Sequence, residues 1–156
     1  MNPEEFNKLI DKDKYQVFLL LSSANFPFTT FYHPWFVINQ KGKLSRFEVK
    51  RNRNANRKLG YIHINAQPLF QGLPLFVYIN KFFQKTTLLK MIEGDENSIA
   101  KSATDFIENS KEIYPLKNKY SLWGPNCATY VEWILEKFPE LQVKLPWNAI
   151  GKNYKN

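Results

Sequence analysis

The sequence has one cysteine, two histidines and no long hydrophobic run, and each shortage excludes a class of protein. A single cysteine excludes an internal disulfide, so the reducing cytoplasm is the expected compartment. One cysteine and two distant histidines form no ligand pair at a recognised metal-binding spacing, so we expect neither a metal nor another cofactor. The longest purely apolar run, residues 17–21, is too short to cross a membrane.

The amino-terminal segment does not resemble a secretory signal, because residues 1–15 carry both acids and bases. This supports the cytoplasmic assignment, although secretion by a route that needs no such signal stays open. With 44% hydrophobic residues, no internal repeat and no linker, the 156 residues predict a single packed domain over 1–156. The oligomeric state has no signature in the sequence.

Acidic residues are scarce relative to basic ones: 22 Lys and Arg against 14 Asp and Glu give a net charge of +8. This charge favours an anionic partner, such as nucleic acid, an acidic membrane surface or a cell-wall polymer. Residues 50–58 hold five bases and no acid. Because this run has no aromatic residue to stack on a base, we interpret it as a solvated loop, and the nucleic-acid signal is weak.

Short apolar runs and alternating patterns predict strands at 15–22, 32–38, 44–50, 61–65, 75–83 and 87–92. The first is almost continuously apolar, which is typical of a strand covered on both faces. Residues 39–43 contain Gly42 and predict a hairpin turn between the second and third strands.

Alternation within that hairpin predicts which side chains share a face. One face carries four core residues: Phe36, Ile38, Phe47 and Val49. The opposite face carries His33, Trp35, Arg46, Glu48 and Lys50. His33 and Glu48 therefore become cross-strand neighbours.

Helices are predicted over 3–10, 96–113 and 127–138. In the second, Asp95 is the expected N-cap and the inward stripe is Ile99, Ala103, Phe106 and Ile107. In the third, Asn126 is the expected N-cap and Pro139 the stop. Its apolar face is Cys127, Tyr130, Val131, Ile134, Leu135 and Phe138.

A thiol in the first turn of a helix gains thiolate character from the helix dipole. The gain is small, since a helix terminus contributes about 0.3–1 kcal/mol, and burial on an apolar face opposes it. A nucleophilic Cys127 therefore needs an imidazolium nearby, and His33, oriented by Glu48, is the candidate. The alternatives are a purely structural Cys127 in the core and, for His63, a surface position on a strand.

The carboxy-terminal segment supplies a family resemblance. Matching motif residues are Tyr114-Pro115, Gly124-Pro125-Asn126, Thr129, Trp133, Leu145-Pro146 and Ala149-Ile150-Gly151-Lys152. Residues 111–154 resemble a bacterial family of unknown function, domain of unknown function 3750, and the match over 15–50 is looser. That family commonly has serine at the position of Cys127. Either the family is largely inactive, or this member has working thiol chemistry.

The order of histidine strand, glutamate strand and cysteine helix also resembles circularly permuted papain-like proteins, which include NlpC-type peptidases and lecithin–retinol acyltransferase relatives. The resemblance implies an α+β fold with a small antiparallel sheet packed against the cysteine-bearing helix. It implies Cys127 as nucleophile, His33 as base and Glu48 as the orienting group. The backbone N–H of Cys127, with Asn126 or Tyr32, would form the oxyanion hole.

Three functions stay open at this point. The first is a cysteine-dependent hydrolase or acyltransferase acting on an amide, ester or thioester of an anionic, peptide or lipid-like substrate. The second is an inactive papain-like module that binds a peptide, lipid or partner through an aromatic cleft around Trp35 and Trp123. The third is a binder of nucleic acid or membrane surface through residues 50–58.

Overall fold

A computed structural model of the chain describes residues 2–24, 30–73 and 85–155. The predicted strand at 75–83 lies outside the described residues. The elements in chain order are α1 (Pro3–Asn7), β1 (Tyr15–Ser23), β2 (Tyr32–Gln40), β3 (Lys43–Val49), β4 (Ile62–Ile64), β5 (Thr86–Gly94), α2 (Ile99–Ile113) and α3 (Cys127–Leu135). Two short 3-10 turns cover Arg57–Leu59 and Pro139–Leu141. No helix among the described residues is both long and apolar enough to span a membrane.

The five described strands form one antiparallel sheet in the order β4-β3-β2-β1-β5. Sheet and helices together confirm the α+β class. The β2–β3 hairpin has the predicted register, with Phe36 opposite Phe47. Its two-residue turn places Lys41 and Gly42 at φ 51° and 89°, the left-handed conformation that suits the twist of a tight hairpin. Both strands consequently run closer to the turn than predicted.

Both faces of the sheet are covered, as the apolar pattern of β1 predicts. On one face, α2 and α3 pack over side chains that include Val17, Leu19, Phe36 and Ile38. On the other face, a smaller cluster joins the sheet to α1 and to residues 65–73, the loop after β4. Its buried members are Phe6, Phe18, Leu20, Trp35, Val37 and Phe70. His33 and Glu48 are therefore interior residues rather than members of a solvated polar face.

Helix α1 ends earlier than predicted, and helix α2 begins later than predicted. The chain leaves α1 after Asn7, and α2 begins at Ile99 with Ser98 as its N-cap. The prediction of Asp95 as the cap was wrong, since the Ser98 hydroxyl accepts from the Lys101 amide and the Asp95 carboxylate binds Lys14 Nζ at 2.8 Å. The carbonyl oxygen of Asp95 instead accepts hydrogen bonds from the amide and hydroxyl of Ser98. Ile99 was also wrongly placed in the inward stripe, since 45% of it is exposed.

Helix α3 keeps its predicted N-cap, Asn126, and its predicted apolar face. It ends at Leu135 rather than at Phe138 because the residue before a proline avoids helical backbone angles, and Phe138 precedes Pro139. Phe138 still packs against the core, with its ring 5.5 Å from that of Phe106. The helix lies across β2 and β3, so its first residue is brought to the sheet.

Candidate functional site

A buried group of charges occupies the hairpin face that sequence alternation singled out. His33 Nε2 lies 2.9 Å from Glu48 Oε2, so these two predicted neighbours are in contact. The same carboxylate oxygen accepts a 2.9 Å hydrogen bond from Arg46 Nη2. Lys50 Nζ lies 4.0 Å from the other oxygen of Glu48. One carboxylate is therefore shared by an imidazole and two cations.

Arg46 is the least expected member of this group, because its side chain is fully buried. Its Nη1 donates to the carbonyl oxygens of Pro68 and Gln71 at 2.8 and 2.6 Å. Its guanidinium also lies 4.2 Å from the centre of the Trp35 ring, within the range of a cation–π contact. Arg46 therefore ties the loop after β4 to the carboxylate that holds His33.

The surrounding charges keep Glu48 ionised. Burial by itself would raise the pKa of Glu48, but the hydrogen bond and charge of His33, together with Arg46 and Lys50, lower that pKa to about 2. A carboxylate in this state accepts hydrogen bonds only, so the Nε2 atom of His33 must carry a proton toward it. Glu48 thus fixes the orientation of the ring.

Cys127 is the second partner of His33. Burial would lower the pKa of His33, but a Coulombic interaction and a hydrogen bond with Cys127, followed by those with Glu48, raise that pKa to about 9. Because Nε2 faces Glu48, Nδ1 is the ring nitrogen left for the sulfur. The structure therefore brings together Cys127, His33 and Glu48 from a helix and two strands. Cys127 is 8% exposed.

Two tyrosines near the sulfur have no assigned role in the sequence analysis. The hydroxyl of Tyr114 is buried and has no hydrogen-bond partner among residues 2–24, 30–73 and 85–155. Burial, with contributions from Tyr130 and Cys127, raises the pKa of Tyr114. Burial and then the charge of Cys127 raise the pKa of Tyr120 to about 12. Both phenols therefore stay protonated, as hydrogen-bond donors must.

The aromatic cleft expected around Trp35 and Trp123 is not present in that form. Trp35 is fully buried, and its indole N–H donates to the carbonyl oxygen of Leu69 at 3.0 Å. Its ring packs against the Arg46 guanidinium. It lines no open surface, because α1 and the loop after β4 cover this face of the sheet. Trp123, in contrast, is 68% exposed. Of these two tryptophans, Trp123 is the one that a ligand can reach.

His63, the alternative histidine, lies on β4 opposite Glu48 in the strand pairing. Its Nε2 atom is 2.8 Å from the carbonyl oxygen of Asn52. This places it toward the loop after β3, in agreement with a structural position on a strand. No group of three or more His, Cys, Asp or Glu residues suited to a metal occurs in the part of the chain that the structure describes.

The model of DUF3750, a protein family of unknown function, matches residues 15–154. The chain belongs to the DUF3750 family. The match includes the five described strands, α2 and α3, and it contains all of the residues in the buried group. Neither the curated proteins nor the solved structures give a significant match.

The residues that carry the DUF3750 resemblance assemble around the start of α3. The Asn126 Oδ1 atom accepts from the backbone N–H groups of Ala128 and Thr129, which caps the helix. Its Nδ2 atom donates to the carbonyl oxygens of Leu122 and Ile150 at 2.9 and 3.0 Å. Both amide hydrogens are therefore in use, so Asn126 positions Cys127 and has no hydrogen free for an oxyanion.

The second half of the motif completes this support. Thr129 Oγ1 donates to the carbonyl oxygen of Gly151 at 2.7 Å. Gly151 has φ +89°, and an added Cβ would lie 2.5 Å from Asn126 Nδ2, so only glycine fits. Tyr32, the other residue proposed for the oxyanion hole, donates its backbone N–H to the carbonyl oxygen of Asn148 at 3.2 Å. In this DUF3750 chain the C-terminal segment thus holds both the cysteine helix and the start of the histidine strand.

Proposed function

We propose that the protein is a cysteine-dependent hydrolase or acyltransferase with a circularly permuted papain-like fold. The observation that carries this proposal is the contact of His33 with Glu48, together with the electrostatic interaction of His33 with Cys127, the first residue of a helix. A thiol, an imidazole and an orienting carboxylate in this order form the nucleophile, base and orienter of acyl-transfer enzymes.

The chemistry follows from these positions. His33 accepts the thiol proton, and the sulfur of Cys127 attacks the carbonyl carbon of an ester, thioester or amide. His33 then gives that proton to the leaving alcohol, thiol or amine, which leaves an acyl thioester on the cysteine. Water, or an acceptor alcohol or amine, attacks this thioester while His33 takes its proton. The sulfur departs and the thiol is restored.

Charge on the carbonyl oxygen requires hydrogen-bond donors during each attack. The backbone N–H of Cys127 lies in the first turn of α3, where backbone donors have no partner within the helix. Tyr114 and Tyr120 are the side-chain candidates for a second donor, because both are protonated and both interact with Cys127. They replace Asn126 in that role.

The proposal is tested by trapping the acyl-enzyme. The protein is incubated with p-nitrophenyl esters and with acyl thioesters, and its intact mass is measured. We expect one acyl group on Cys127, no adduct in Cys127→Ala and a strongly reduced rate in His33→Ala. The matched control is His63→Ala, which should react as the wild type does. Equal adduct formation in His33→Ala and His63→Ala would contradict the proposal.

A second candidate is a papain-like binding module without catalysis. The observation that favours it is the burial of the reacting groups, since Cys127 is 8% exposed and His33 is 6% exposed. A ligand would then bind near the site without reacting. Ligand affinity unchanged in Cys127→Ser, with no acyl adduct in the wild type, would select this candidate.

A further inference from the structure

Three large apolar side chains point into solvent beside the site. Trp147 is 85% exposed and Trp123 is 68% exposed, and the neighbouring Leu122 is also exposed. We call these three residues the aromatic rim. Tryptophan combines a large apolar ring with one N–H donor, and it is enriched at protein interfaces and at membrane–water interfaces.

The segment that carries Leu122 and Trp123 and the segment that carries Trp147 are linked by hydrogen bonds to each other and to the site. The Asn126 side chain, which caps the cysteine helix, donates to the carbonyls of Leu122 and Ile150. Trp147 is followed by Asn148, whose carbonyl accepts from the amide of Tyr32, the residue before His33. The rim therefore flanks the helix start that bears the cysteine and the strand start that bears the histidine.

The chain segments that carry the rim are rich in lysine. Residues 113–131 and 141–155 contain five lysines and no acidic residue. The basic run 50–58, here called the basic segment, packs beside the first of these stretches. Arg53 Nη2 donates to the carbonyl oxygen of Asn118 at 3.4 Å, and the Arg51 guanidinium interacts with Tyr120.

We propose that the aromatic rim and the basic segment seat the protein on an anionic lipid bilayer. Tryptophan and leucine side chains insert at the level of the headgroups, and lysine and arginine neutralise the anionic lipids around them. A single-stranded nucleic acid is the competing partner, because the two tryptophans are able to stack on bases. The exposed aliphatic side chain of Leu122 beside Trp123 favours the bilayer.

This seating identifies a substrate class. A bilayer held against the rim presents ester and amide groups of its lipids to the start of α3, so the acyl group transferred to Cys127 comes from a membrane lipid. The substrate class rests on the proposed function, whereas the docking surface does not.

Vesicle binding tests the docking surface. The wild-type protein is sedimented with vesicles of phosphatidylcholine, with and without phosphatidylglycerol. We expect binding that requires phosphatidylglycerol and weakens with salt. The double variant Trp123→Ser with Trp147→Ser should bind at least about tenfold more weakly, because it loses two inserted side chains. The matched control is Ile99→Ser with Ile113→Ser, two exposed apolar residues on α2, which should bind like the wild type.

A second arm uses the basic segment and a single-stranded oligonucleotide. Replacing Arg51 and Arg53 by Gln should weaken vesicle binding. The docking proposal is overturned if the wild type does not sediment with anionic vesicles, or if the rim variant binds them as tightly as the wild type does. It is also overturned if the oligonucleotide binds more tightly than vesicles and only the arginine variant loses it. Cys127→Ala should bind vesicles normally, so the docking result is independent of the acyl-enzyme test.

Discussion

At the scale of single residues, the buried ion pair between Arg46 and Glu48 is the feature that most needs a functional reason. Taking two charges out of water costs more than their attraction usually returns, and well-packed apolar residues often replace such pairs without loss. Here Arg46 Nε and Glu48 Oε1 also lack hydrogen-bond partners in the described ranges. A pair that contributes little to stability but keeps a carboxylate ionised against His33 fits a positioning role.

Replacing Glu48 by Gln tests that role. The substitution keeps the shape of the side chain but leaves the Arg46 charge uncompensated, so we expect a loss of about 3–5 kcal/mol in the free energy of unfolding. The pKa of His33 should fall as well, because the carboxylate helps to raise it. Urea unfolding and NMR titration of the ring measure the two effects.

The exposed control Glu140→Gln should change the unfolding free energy by no more than about 0.5 kcal/mol. If the His33 pKa is the same in Glu48→Gln and Glu140→Gln, the carboxylate does not act on the ring.

The sequence was informative about the residues whose positions depend on local periodicity. Alternation in one hairpin brought His33 to Glu48, and helical spacing placed Cys127 first on the buried face of α3. The sequence analysis did not predict the roles of Arg46 and Tyr114. The role of Arg46 depends on the path of the loop after β4, and that of Tyr114 depends on the position of the end of α2. No period in the sequence encodes those paths.

At the scale of elements, the start of α3 is held by the DUF3750 motif rather than by local propensity alone. Asn126 caps the helix and binds two carbonyl oxygens, and Thr129 binds a third. The motif residues therefore explain why the sulfur is presented at a fixed place. The motif residues hold the first residue of α3 in place whether that residue is serine or cysteine.

Asn126→Ala should release this arrangement. We expect a loss of about 2 kcal/mol of unfolding free energy, at the upper end for an N-cap, because two carbonyl oxygens also lose their donor. The rate of Cys127 alkylation should fall as well. Thermal unfolding and a thiol-labelling assay check the two results.

The matched control is Ser98→Ala, which removes the N-cap of α2 at a cost of about 1 kcal/mol without touching the site. Thiol labelling that is slowed equally in both variants would mean that the effect is global rather than local.

Element boundaries show where sequence rules compete. Asp95 and Ser98 are both good N-caps by residue type. In the folded chain Ser98 caps α2, and the Asp95 carboxylate pairs with Lys14. Similarly, the polar face predicted for the hairpin is buried because α1 and the loop after β4 cover it. Such coverings are tertiary facts that strand alternation does not contain.

At the scale of the whole molecule, the buried charges make stability depend on pH in a defined way. The pKa of His33 is raised from 6.5 to about 9, so its contribution is fully present below pH 6.5 and is lost as pH rises through 9. The pKa of Glu48 is lowered from 4.5 to about 2, so its contribution is present above pH 4.5 and is lost as pH falls through 2.

We therefore expect the stability difference between the wild type and His33→Gln to be largest below pH 6.5 and to shrink as pH approaches 9. Chemical unfolding at several pH values measures this difference. His63→Gln is the matched control and should show no such trend. A difference that grows with rising pH would mean that the folded state prefers the neutral ring.

The most direct measurement is the rate at which iodoacetamide alkylates Cys127 as a function of pH. The account predicts that the wild type reacts at neutral pH faster than free cysteine, because His33 interacts with the sulfur. His33→Gln should slow the reaction at neutral pH, while His63→Gln should leave it unchanged. Alkylation no faster than that of free cysteine, and identical in the three proteins, would contradict the pairing of sulfur and imidazole.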